Sequence, residues 1–174
     1  AMKSSSICFS VIVSFLIAFI SCSFTTAVAQ ATFSVEEYMI HGEGQGVPEL
    51  AGMTTYRIYV DLENELDFVS ALYGGNESPF VLNLEEPMFN SPFTTGGTSG
   101  GVIAIVASYF PEVAFDSWFT IGLENAPSAI GQMDVSVLES DEQPFVGSFV
   151  AGSEHDGLGF EINDEMGGAW FVLN

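Results

Sequence analysis

Oxygen-bearing side chains gather most densely in Asp61-Leu62-Glu63-Asn64-Glu65-Leu66-Asp67. Calcium takes about six to eight oxygen ligands, and irregular loops supply them well. Asp61, Glu63, Glu65 and Asp67 are therefore candidate ligands for Ca²⁺. The helix–loop–helix calcium loop is excluded, because Leu66 stands where that loop needs glycine and Leu72 where it needs a bidentate acid. Glu161, Asn163, Asp164 and Glu165 form a second acidic group that could serve alone or with the first. The competing reading is a solvated turn on a very acidic chain.

Three other chemistries are weaker. Glu85-Glu86 and the Glu161–Glu165 group could furnish an acid/base pair for glycoside hydrolysis, which sets two carboxyls about 5–9.5 Å apart across a cleft. With 23 acidic residues, nothing in the sequence selects a pair. His41 and His155 both lie in glycine-bearing loop contexts, without a second ligand at i+4, and read as exposed loop histidines. Trp118 and Tyr59, with Tyr56, Tyr73 and Trp170 nearby in kind, could stack on a sugar ring. Aromatic residues on strands more often belong to a core.

Charge removes whole classes of partner. Arg57 is the only cation after residue 29, against all 23 acids. Such a surface repels phosphate backbones and anionic headgroups, so the reading is no nucleic acid and no anionic membrane surface. With 48% apolar residues and 16 Phe, the chain is folded and not disordered. Lys3, the apolar run Ile7–Ile20 and Ala27-Val28-Ala29 have the form of a secretory signal peptide, expected to span residues 1–29. Cys8 and Cys22 both fall within it, so residues 30–174, one domain, are held without disulfides. Asn76-Glu77-Ser78 is a sequon whose following Pro79 disfavours acceptance.

The elements that must position these residues read as strands. Tyr56, Ile58 and Val60 alternate with Thr55, Arg57 and Asp61, the period of a half-buried strand. Asp67–Tyr73 is expected to pair with it as a hairpin across the Glu63–Glu65 turn. Ala31–His41, Pro79–Asn83, Phe115–Gly122, Gln132–Leu138, Phe145–Val150, Leu158–Ile162 and Ala169–Leu173 complete the set, and Val102–Phe110 reads as a short helix ended by Pro111. In Phe115–Gly122, the residues Phe115, Phe119 and Ile121 are set on one side, and Asp116, Trp118 and Thr120 on the other. The expectation is an all-β protein, an antiparallel β-sandwich of about eight or nine short strands with one short helix. Within it Trp170 is expected in the core, Trp118 part-exposed, and Arg57 bonded to Asp61 or Asp116.

Thr54–Asp61 (TTYRIYVD), Ser70–Gly74 (SALYG) and Phe115–Gly122 (FDSWFTIG) occur in that order. Together they resemble a β-rich module of secreted proteins from marine microbes and microalgae, over roughly Thr54 to Phe171. The resemblance implies an extracellular β-rich unit and brings no catalytic residue with it. The resulting expectation is a secreted, non-enzymatic structural, adhesive or partner-binding module, with an extracellular protein or polysaccharide as partner and no cofactor beyond Ca²⁺. A carbohydrate- or calcium-binding module and a secreted carboxylate-dependent hydrolase are the alternatives.

Overall fold

The structure is a computed structural model that describes residues 31–44, 47–64 and 66–173. The expected signal peptide with its two cysteines, and Glu65 of the acidic turn, lie outside the described residues. Strands β1 (Ala31–Ile40), β2 (Thr54–Leu62), β3 (Ala71–Gly74), β4 (Phe80–Leu82), β5 (Ser136–Leu138), β6 (Phe160–Ile162) and β7 (Gly168–Phe171) are joined by one helix, α1 (Ala104–Tyr109), and four short 3₁₀ turns. All pairings between them are antiparallel. The protein is thus all-β with one short helix, as expected, but it has seven described strands in three small sheets in place of eight or nine. Among the described residues no helix is long and apolar enough to cross a membrane.

The core forms around Trp170, on the central strand of the sheet β3-β7-β5. The indole is 1% exposed and stacks on Phe119 at 4.0 Å between centroids, with Phe145 at 4.4 Å and Phe80 at 5.7 Å. Val135, Phe149 and Ile162 are buried with it, and Leu72, Val137 and Phe160 pack against the cluster. Strands β4 and β6 contribute Phe80, Phe160 and Ile162 to this cluster, so the two-stranded sheet and the three-stranded sheet share one core. Burial of large aromatic rings is the main source of stability here, since each removes on the order of 150–250 Å² from water. The cross-strand pair Gly74 and Gly168 has no room for side chains. A Cβ on Gly168 would lie 2.5 Å from the Phe145 ring, and one on Gly74 would lie 2.6 Å from Phe80 Cβ.

Strand β1 pairs with β2, with a bulge between Glu37 and Met39. The connection turns back at His41, whose N–H donates to the Met53 carbonyl (3.0 Å) and whose carbonyl accepts from Gly52 N–H (2.8 Å). Pro48 opens the 3₁₀ turn Pro48–Leu50, a first-turn position where its missing N–H costs nothing, and Leu50 is buried beneath it.

Several local expectations fail for one reason. Alternation identifies faces and not partners. The hairpin from Thr54 to Tyr73 does not form: β2 pairs with β1, and β3 pairs with β7 at the far end of the chain. Phe115–Gly122 is no strand. It begins in the 3₁₀ turn Pro111–Phe115 and makes one isolated bridge, Thr98 to Phe119. Phe119 and Ile121 still pack against the core, whereas Asp116, assigned to the polar side, is buried. Phe145–Val150 folds as the 3₁₀ turn Val146–Phe149, and Gln132–Leu138 contributes only β5. Helix α1 lies where a helix ending at Pro111 was read.

Candidate functional site

The two-stranded ribbon β1-β2 has two unlike faces. Directly opposed residues of antiparallel strands point to the same side. Phe33 opposes Val60, Val35 opposes Ile58, and Glu37 opposes Tyr56, so one face is apolar except for Glu37. Thr32 opposes Asp61, Ser34 opposes Tyr59, and Glu36 opposes Arg57, which makes the other face polar. The polar face carries the ribbon's side-chain links to the rest of the chain. Arg57 Nη1 lies 3.6 Å from Glu124 Oε1, and Thr55 Oγ1 is 2.8 Å from His41 Nε2. His41 in turn meets Phe115 edge-on, with centroids 4.7 Å apart.

No residue of β1 is buried, and the apolar face lies open to solvent: Phe33 is 70% exposed and Ile58 65%. Val35, Ile40, Tyr56 and Val60 are exposed beside them. Isolated two-stranded ribbons are marginal in water, and contiguous exposed apolar patches mark places where something else packs. The acids Glu36, Glu37, Glu43, Asp61 and Glu63 stand exposed on and around the ribbon. The site is therefore an apolar strip with an anionic border.

Contrary to the expectation from sequence, Arg57 pairs with neither Asp61 nor Asp116; its partners are Glu124 and the Tyr38 ring, whose centroid is 3.7 Å from the guanidinium carbon. Glu124 lies in the irregular segment between the Pro111–Phe115 turn and β5, and Tyr38 sits at the bulge of β1, so neither partner is legible in sequence. Tyr59 has its hydroxyl engaged, donating to Glu36 Oε2 at 2.8 Å on the polar face. Trp118 is half-buried in the segment after the Pro111–Phe115 turn. Among the described residues no aromatic stacking joins Trp118 to Tyr59. Asp61 closes β2, and Glu63 and Asp67 occupy the turn beyond it, where Asn64 Nδ2 donates to Asp67 Oδ2 at 3.0 Å. Among the described residues no three of His, Cys, Asp and Glu gather as a metal-binding group, so Asp61, Glu63 and Asp67 do not converge by themselves.

The second acidic group is occupied with local bonding. Gln143 Oε1 accepts from the Asn163 and Asp164 N–H groups, Asp164 Oδ1 accepts from Gly167 N–H, and Ser140 donates to Asp164 Oδ2. His41, read as exposed, is buried. The glycine-rich stretch Thr94–Gly101 reads from sequence as a surface loop with no nucleophile elbow, yet Gly97-Thr98-Ser99-Gly100-Gly101 does have that elbow's spelling. The structure gives it another role. Ser99 is fully buried in a 3₁₀ turn, with Asp134 Oδ1 at 3.5 Å from its hydroxyl, and the His41 imidazole is engaged with Thr55. A buried serine on such a turn lacks the exposed strand-to-helix placement of a nucleophile.

No family model, curated protein or solved structure matches the chain.

Proposed function

We propose that residues 30–174 form a secreted, non-enzymatic β-sandwich-like module whose work is to bind an extracellular protein through the β1-β2 ribbon. The observation that carries this reading is the uncovered apolar face of Phe33, Val35, Tyr56, Ile58 and Val60. The sandwich description rests on the two small sheets that share the Trp170 core. The partner is one that offers apolar side chains bordered by basic ones. Arg57 is the single cation among 23 acids, so a second copy of the chain would bring like charge to the anionic border, whereas a basic partner is drawn in. The outer edges of the ribbon add unpaired backbone groups that an incoming strand can use.

The test uses a synthetic peptide of alternating Val and Lys as probe, titrated calorimetrically into the chain from residue 30 onward. Binding that weakens as NaCl is raised, and that Phe33→Ser with Ile58→Ser abolishes, is the expected result. Binding unchanged by the double substitution overturns the assignment to the ribbon. Self-association in sedimentation at low salt would replace the basic partner with a second copy. Capture by an insoluble polysaccharide, lost on Trp118→Ala or Tyr59→Ala, would favour the carbohydrate alternative.

A further inference from the structure

Away from the ribbon, Asn90 is bonded to one carboxylate, Asp156, and the residue after it is bonded to another, Asp116. Its side-chain amide donates to the Ser148 carbonyl (2.7 Å) and to Asp156 Oδ1 (2.8 Å). The N–H of the next residue, Ser91, donates to Asp116 Oδ1 at 2.7 Å. Two acceptors fix which end of the Asn90 amide is nitrogen, since the flipped amide would set its oxygen against two other oxygens. The oxygen is thereby fixed as well. Asn90 Oδ1 is buried and has no donor, the only described buried side-chain polar atom in that condition. Leaving such an acceptor unmet is destabilising, so a group that meets it is to be sought.

The surroundings say which group. Asn90 is 8% exposed and Asp116 7%, so an amide oxygen and a carboxylate are both withdrawn from water on adjoining bonds. Burial pushes the Asp116 carboxyl up from its ordinary range, against hydrogen bonds from Thr94, Ser91 and Ser117, and the charge of Asp156 pushes it further. Arg57, the one cation of this part of the chain, is engaged on the ribbon. Two carboxylates and an unmatched amide oxygen are all acceptors, so another hydrogen-bond acceptor cannot satisfy the site and a cation can. Asp156 closes it from the surface: its Oδ2 accepts from Gly152 N–H at 2.6 Å within the loop 150–157, and its Oδ1 accepts from Asn90 and so ties that loop to the Asn90 segment. An all-oxygen set that mixes carboxylate with amide oxygen suits Ca²⁺, whereas Mg²⁺ keeps much of its water.

We propose that Asn90 Oδ1 and the carboxylates of Asp116 and Asp156 form a Ca²⁺ site that fastens the loop 150–157 to the segment 90–94. This site has two carboxylates and is distinct from the acidic turn at Asp61–Asp67. The experiment titrates metal-stripped protein with CaCl₂ at constant ionic strength and follows melting and the luminescence of Tb³⁺ excited through tryptophan. Ca²⁺ raises the melting temperature, equal Mg²⁺ raises it less, and Ca²⁺ displaces Tb³⁺. Asp156→Asn, at an exposed position, keeps the fold and weakens Ca²⁺ by about tenfold or more, because ligand charge tunes affinity. Asp61→Asn with Asp67→Asn leaves the Ca²⁺ response intact. A wild-type protein indifferent to Ca²⁺ overturns the proposal and leaves Asn90 Oδ1 to a water molecule. A Ca²⁺ response that survives Asp156→Asn and disappears with the Asp61 and Asp67 substitutions overturns it equally.

Discussion

Trp170 and Ile58 both sit within antiparallel strands, both are large and apolar, and their surroundings are opposite. The indole is enclosed by Phe119, Phe145 and Phe80, while the Ile58 side chain stands 65% exposed on a ribbon that nothing described covers. The core region is closed by chain segments far apart in sequence: β3 meets β7, and the segment around Phe119 stacks on the β7 tryptophan. The ribbon is closed only on itself, β1 against β2. A well-formed apolar face is thus stability in one region and, on the reading proposed above, unspent binding surface in the other.

The sharpest way to break this comparison is to remove a large side chain from the core. Trp170→Ala leaves a cavity among rings that cannot collapse into it, and the expected loss is about 3–5 kcal/mol in a urea unfolding curve. A loss below about 1 kcal/mol, typical of surface substitutions, would mean that the core is not organised around this indole.

Asp116 gives the next effect, and it depends on pH. Its carboxyl is held above the ordinary range, chiefly by burial, so the folded state keeps this proton more tightly than the unfolded chain does. Its stabilising contribution is therefore complete below the unfolded carboxyl value of about 3.9 and is lost as pH rises through the raised folded value. Asp116→Asn carries a constant cost of about 1–3 kcal/mol for the acceptor it removes from a buried network. Above that offset, the stability of metal-free variant relative to wild type should improve as pH rises through this window. A difference that does not move with pH contradicts the buried-carboxyl account.

How much of this was legible before the structure follows the same division. β1, β4, β5, β6 and α1 lie within stretches that alternation, β-branched content and Pro111 mark, and β2, β3 and β7 overlap such stretches to within a residue at an end, because those signals are local. The partners of β2 and β3 were not legible, since a strand's alternation names its faces and leaves its neighbour to the rest of the chain. The apolar face of Tyr56, Ile58 and Val60 was read correctly as a face and wrongly as core. The buried polar group was hidden in Phe89-Asn90-Ser91-Pro92, which has the composition of a surface turn. Only its tertiary contacts with Asp116, Ser148 and Asp156 give it a different character.

A smaller effect concerns how the ribbon is fastened. Arg57 links its polar face to Glu124, an acid that is 76% exposed, and lies over the Tyr38 ring. Solvent-exposed pairs contribute about 0–1 kcal/mol and an exposed cation–π contact about 0.5–1 kcal/mol. Arg57→Ala should therefore lower stability by about 1 kcal/mol in the same unfolding assay, with Glu124→Gln costing less. A loss of several kcal/mol would place Arg57 in the core's account and not the ribbon's.

The smallest expected change in stability is also the most telling about the ribbon. Phe33→Ser with Ile58→Ser removes two large side chains whose surroundings are mostly water, so global stability should stay within about 0.5 kcal/mol. Amide hydrogen exchange then tests the central claim in the unmodified protein. In the free chain the β1-β2 amides should exchange much faster than those of β7, because the ribbon opens without disturbing the core. With the Val/Lys peptide bound, protection should rise across Ala31–Leu62 and stay level in β7. Ribbon amides as slow as those of β7 in the free chain, or peptide protection that falls outside Ala31–Leu62, would contradict the account.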